Sequence, residues 1–230
     1  FDYCSSEIDV SNFDTSSVKD LFGMFYGVTS PIINVTNFKT SLVVDMSFIF
    51  AKDPNSNCPK NEQKIIGLTN FDTSRVTTME GMFKDCEKVK EIKLSQNFKT
   101  QSVKIMYRMF SGCKSLESLD VSNFDTSEVT IMNNMFDSCA LLKSIDVSHF
   151  DTSNVSDMSR TFMQTSKLTS LNLENFRTEE VITMEYMFSN SNKLKTINLK
   201  NFNTENVKTM AHMFAYCNSL VELDIKHFES

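Results

Sequence analysis

The chain has 230 residues, 40% of them hydrophobic and 23% charged, with a formal net charge of −6. That balance allows the packed core of one or two domains and excludes a disordered tail. It lacks the basic footprint of a nucleic-acid binder and the Lys/Arg surplus that draws proteins to anionic membranes. No apolar run approaches the ~20 residues that cross a bilayer.

The chain opens at Phe1, in mid-repeat and without a basic-then-apolar signal peptide, which reads as a processed chain or a trimmed piece. From there an aromatic recurs at Phe13, Phe38, Phe71, Phe98, Phe124, Phe150, Phe176, Phe202 and Phe228, in steps of 25, 33, 27 and then 26 five times. A threonine stands two positions after each of the first eight. Internal repeats of this length mean units that cannot bury a face alone and stack on one another.

One repeat reads L116-E-S-L119-D-V121-S-N-F124-D-T126-S-E-V129-T-I-M132-N-N-M135-F136-D-S-C139. Its opening ends in alternation, which predicts a short strand with one buried face. The V-x-x-M-x-x-M-F stretch is apolar at every third position and predicts a tight helical or 3₁₀ return, or an irregular turn. Stacked units then give a parallel sheet at ~4.8 Å per rung, roughly 40 Å long. The phenylalanines form one buried spine and the Met and Met-Phe positions another. The residue before each anchor Phe (Asn12, Asn37, Asn70, Asn97, Asn123, Asn175 and Asn201, with His149 and His227 as replacements) is placed to bond the turn backbone of its own and the next rung.

The repeat breaks between Phe38 and Phe71, where residues 51–63 carry two of the three prolines and many turn formers. This predicts a protruding loop, either a tolerated insertion or part of a binding face. The first two repeats lack the cysteine, having Val28 and Asp53 at that position, as capping repeats often do. The chain stops just after Phe228, and an uncapped parallel edge predicts a native chain that continues.

Four of the six cysteines, Cys86, Cys113, Cys139 and Cys217, share one slot that Thr165 and Ser191 fill elsewhere. A slot that takes Cys, Thr or Ser is a small buried position, so free thiols are expected. Cys4 and Cys58 lie off-register and are the disulfide candidates, with the connectivity open. No C-x-x-C occurs and the histidines are scattered, against a zinc site. Thirteen of the fourteen methionines fall in the M-x-x-M-F slots, where core packing is a better account than copper(I) binding.

The outward positions before each anchor Phe form the candidate binding face: Asp120, Ser122, Asp146, Ser148, Asn172, Glu174, Asn198, Lys200, Asp224 and Lys226. A carboxylate pair such as Asp120 and Asp146 suits calcium as well as simple solvation. No Ser-His-Asp grouping, Gly-rich phosphate loop or H-E-x-x-H occurs, so no catalytic residue, resident metal or cofactor is expected. N-x-S/T sequons start at Asn34 and Asn154 and matter only if the source glycosylates.

L-x-x-L-x-V is the opening of a leucine-rich repeat. The whole phrase L-D-V-S-N-F-D-T-S-x-V-x-x-M-x-x-M-F-x-x-C resembles the BspA-like leucine-rich-repeat surface proteins, over roughly residues 5–228. One departure is the Phe where the usual Asn or Cys stands. The resemblance implies an α/β repeat solenoid of about eight repeats filling residues 1–230, with a parallel sheet on its concave face and short helical or irregular segments behind. It further implies an extracellular or surface-anchored lipoprotein that adheres to a protein or glycoprotein ligand, such as one from a host, with its anchor outside this sequence. Two other readings stand beside it: a stalk that spaces another domain from a membrane, and an intracellular scaffold, which free thiols would suit. The oligomeric state stays open.

Overall fold

The structure, a computed structural model, describes residues 8–10, 12–53, 62–226 and 228. Cys4, Cys58, His227 and most of the 51–63 loop lie outside the described residues, as do the expectations placed on them.

Tandem repeats pack one on the next through small parallel sheets. The strands are β1 (Ile8–Asp9), β2 (Ile32–Asn34), β3 (Lys64–Ile66), β4 (Ser170–Asn172) and β5 (Thr196–Asn198). They pair in parallel as β1-β2-β3 and β4-β5. Among the described residues there is no α-helix and a single 3₁₀ turn, Leu68–Asn70. One hydrophobic cluster runs from Val10 to Met213.

The sheet is smaller than the sequence reading has it. The L-x-x-L-x-V positions form ladder strands at both ends of the chain, but residues 119–121 and 145–147 are in none. In every one of these repeats the anchor Phe N–H bonds back three residues, Phe124 to the Val121 carbonyl at 2.9 Å and Phe176 to the Leu173 carbonyl at 3.0 Å, so a turn follows the segment whether or not it is a strand. Repeats three and four also hold one residue too many before the anchor Phe. Ile65, not Ile66, takes the position opposite Ile33, and Ile66 is left 43% exposed. A one-residue slip turns a side chain to the other face. Gly67 absorbs the excess in the left-handed region, at φ 98°.

The continuous ladder lies in the methionine segments. Parallel bridges run without a break from Asp20 through Asp45, Thr78, Ile105, Ile131, Asp157 and Thr183 to Thr209. In the fourth repeat the N–H groups of Met106, Arg108, Phe110 and Gly112 donate to the next repeat at 2.8–3.2 Å. Those of Met109, Ser111 and Cys113 close overlapping turns within their own repeat at 3.1–3.2 Å. Alternate donors thus serve alternate partners, as buried backbone requires. This zigzag is accompanied by left-handed residues at two positions four apart in seven repeats, Gly23 and Gly27, Gly81 and Asp85, Arg108 and Gly112, Asn134 and Ser138, Arg160 and Gln164, Tyr186 and Asn190, His212 and Tyr216, and by Phe48 at the first position alone in the second repeat. A three-residue apolar period here gives turns rather than a helix.

Inside, Phe50, Phe83, Phe110, Phe136, Phe162, Phe188 and Phe214 stack at 5.5–6.0 Å between successive rings. Phe124, Phe150, Phe176, Phe202 and Phe228 form a second column at 6.4–6.5 Å. The paired methionines of these segments are fully buried from Met79 to Met135, as core filling predicts. Each stack is tied by threonine. Thr152 Oγ1 donates to the Arg177 carbonyl at 2.7 Å and accepts from the Arg177 N–H at 2.8 Å. Thr73, Thr100 and Thr178 bridge their next repeats in the same way. The Phe-x-Thr spacing is therefore the seam between repeats.

Candidate functional site

The predicted outward acids and amides turn out to hold their own turns. Oδ1 of Asp120 accepts from the Ser122 N–H at 2.9 Å, and that of Asp146 from Ser148 at 3.0 Å. Asn172, Asn198 and Asp224 do the same for Glu174, Lys200 and Lys226 at 3.2–3.3 Å. Such side-chain-capped turns are the usual work of Asp and Asn. Hydrogen bonds from the side chain and then the backbone of Ser122 hold the Asp120 carboxyl below its ordinary pKa, and Ser148 does so for Asp146. Among the described residues no group of three or more His, Cys, Asp or Glu side chains is arranged to hold a metal ion.

The asparagines before the anchor Phe reach back one repeat rather than forward. Asn175 Nδ2 donates to the Ser148 carbonyl at 2.6 Å and Asn201 Nδ2 to the Glu174 carbonyl at 2.7 Å. His149 takes the same place with Nε2 at 3.1 Å from the Val121 carbonyl. This row stiffens the corner beside the phenylalanine column and leaves the neighbouring side chains projecting.

Those side chains frame a groove of about 900 Å³ across the sixth to eighth repeats. Its wall is set by His149, Asp151, Glu174, Arg177, Glu179 and Lys200, with Phe150, Phe176 and Phe202 beneath. Glu174, Arg177, Glu179 and Lys200 are exposed, and none has an ion pair within 4.0 Å among the described residues. Asp151 sits below its ordinary pKa, chiefly because the Ser153 N–H bonds it, with Arg177 adding a smaller pull. Of the ten predicted residues, Glu174 and Lys200 line this groove, while Asp120, Ser122, Asp146, Ser148, Asn172, Asn198, Asp224 and Lys226 do not. His149, Asp151, Arg177 and Glu179 were missed because they flank the anchor Phe, outside the strand positions. Their signal was that these columns change residue type from repeat to repeat.

The cysteine column is structural. Cys86, Cys113, Cys139 and Cys217 are free thiols, the first three buried. Each sulfur lies 3.0–3.2 Å from the carbonyl of the stacked Phe in the preceding repeat. The Ser191 hydroxyl donates to the Phe162 carbonyl at 2.9 Å in the same way. Burial pushes the Cys86 thiol up to about 12 and raises the others too. A thiol so placed is a poor nucleophile and a poor metal ligand.

No helix among the described residues is long and apolar enough to cross a membrane. Neither the curated proteins nor the solved structures hold a match to this chain. A family model described as "Mycoplasma protein of unknown function, DUF285" matches it three times in tandem, over residues 1–65, 56–145 and 140–230. With repeats that tile the chain and a model that covers it end to end, this protein belongs to that family, DUF285.

Proposed function

We propose that this chain is a non-catalytic binding module, a leucine-rich-repeat-type solenoid displayed at a cell surface, which grips a protein or glycoprotein ligand through the groove at Glu174, Arg177 and Lys200. The single observation that carries the reading is that groove. Exposed charges of both signs, without ion pairs among the described residues, stand on a backbone locked by hydrogen bonds. A rigid frame loses little entropy on binding, and complementary charge sets orientation and speeds encounter. Surface display and adhesion are supported by the resemblance of the repeat phrase to BspA-like proteins. One observation favours a second reading, a spacer: in the fifth repeat the Asp120 carboxylate accepts from both the N–H and the hydroxyl of Ser122, so both outward groups are used by their own turn.

The test is binding of the purified chain to arrays of extracellular-matrix proteins, surface receptors and glycans, beside Glu174→Lys, Arg177→Glu and Lys200→Glu variants. A saturable partner weakened tenfold or more by each reversal is expected. A partner indifferent to all three moves the site off the groove, and no partner at all leaves the spacer.

A further inference from the structure

The left-handed slot two residues before each stacked Phe of the methionine segments holds Gly23, Phe48, Gly81, Arg108, Asn134, Arg160, Tyr186 and His212, at φ 53–58°. For a residue with a Cβ this conformation is strained. Glycine fills the slot in two repeats, so the backbone alone does not account for arginine, tyrosine or histidine in the others. Strained bulky residues point to what their side chains do.

Those side chains pack on one another along the stack. The Arg160 guanidinium lies 5.1 Å from the centre of the Tyr186 ring, and Tyr186 stacks on His212 at 4.8 Å and 19°. The Arg108 guanidinium lies 4.9 Å from the Tyr107 ring. Arg160 and His212 are exposed, Arg108 and Tyr186 half-buried. Neither arginine has an ion pair among the described residues. Two acids feel these guanidiniums, Glu80 that of Arg108 and Asp137 those of both; Asp137 is half-buried and already accepts from Asn134 at 3.2 Å and from Ser138 at 2.9 Å. A guanidinium held over a ring by cation–π attraction still has its N–H donors to offer a carboxylate.

We propose that Arg108 and Arg160 form a second interaction surface, distinct from the groove, that binds an extended acidic peptide of a protein partner. The spacing fits. The two arginines stand two repeats apart, about 10 Å at ~4.8 Å per rung, and carboxylates three residues apart on a polyproline-II chain, with its three residues per turn, fall on one face about 9 Å apart. The peptide runs along the stack with Glu or Asp at i and i+3, and its middle residues pass over the buried Asn134 slot.

The probe is a labelled peptide, acetyl-Glu-Ser-Ser-Glu-Ser-Ser-Glu-amide, against its all-Gln counterpart, followed by anisotropy at low and high salt with the intact chain. Saturable, salt-weakened binding of the Glu peptide alone is expected. Arg108→Gln and Arg160→Gln should each weaken it about tenfold, and Lys143→Gln, on another column, less than twofold. Arg160→Gly should also lose binding while unfolding within a few degrees of the parent, since relief of the left-handed cost offsets the lost stack. Equal binding of the Gln peptide, no saturation, parental affinity in both Gln variants, or a matching loss in Lys143→Gln overturns the proposal.

Discussion

Replacing Thr152 by valine keeps the shape of the side chain and deletes one hydroxyl. In the structure that hydroxyl, fully buried, is both donor and acceptor, joining the sixth repeat to the carbonyl and the N–H of Arg177 in the seventh. Valine leaves two backbone groups without partners. Each costs about 1–3 kcal/mol when stranded. Arg177 is at the surface, so water relieves part of this, and about 2–3 kcal/mol in total is expected. Serine keeps both bonds and loses one buried methyl, about 1 kcal/mol. The order is therefore valine worse than serine, which is the reverse of what a packing role for Thr152 gives. In stacked repeats stability is a sum of units and interfaces, so the loss falls on one seam. Urea unfolding of T152V should show a lower midpoint, with repeats seven and eight opening first. Hydrogen exchange at the Arg177 amide should speed up roughly thirtyfold or more at 1.4 kcal/mol per decade. If T152V unfolds with the parent, or T152S is the weaker variant, the hydroxyl does not hold the seam and the account of Phe-x-Thr is wrong.

Gly67→Ala should be among the most damaging single changes: its Cβ would lie 2.3 Å from the Thr36 nitrogen at φ 98°, a backbone clash that no side chain can relieve, and thermal melts should show a loss of several degrees. A thiol reagent at pH 8 should label Cys217, half-buried, well before Cys86, Cys113 and Cys139, which should react only on unfolding; comparable rates in the native state would refute their burial. The Asp120, Asp146 and Asp151 carboxyls are held below their ordinary values, so their contribution is present above the unfolded pKa and disappears as pH falls through the folded one. Carboxyl NMR titration should find all three below a free aspartate, with stability falling as pH drops below about 4; titration at or above the free value would refute the turn-capping role.

The units and their contents are legible in the residue pattern alone. Anchor Phe spacing set the repeat, the Met-x-x-Met-Phe slots set the core, and a slot accepting Cys, Thr or Ser identified Cys86, Cys113 and Cys139 as small buried fillers. Periodicity carries that information because burial depends on which face a side chain occupies. It does not say which stretch forms the ladder. The alternating L-x-x-L-x-V looked like the strand, yet the unbroken bridges run through the methionine segments, where left-handed residues at two positions let alternate N–H groups reach alternate partners. Only four of the left-handed residues in that paired pattern are glycine, so the conformation leaves little trace in residue type. The candidate surface follows the same rule. Asp120 and Asp146 look like free carboxylates in the sequence, but the tertiary structure spends them on Ser122 and Ser148. It gathers His149, Arg177 and Glu179 around Glu174 and Lys200 instead, because stacking brings residues 26 apart into neighbouring rows that no local pattern connects.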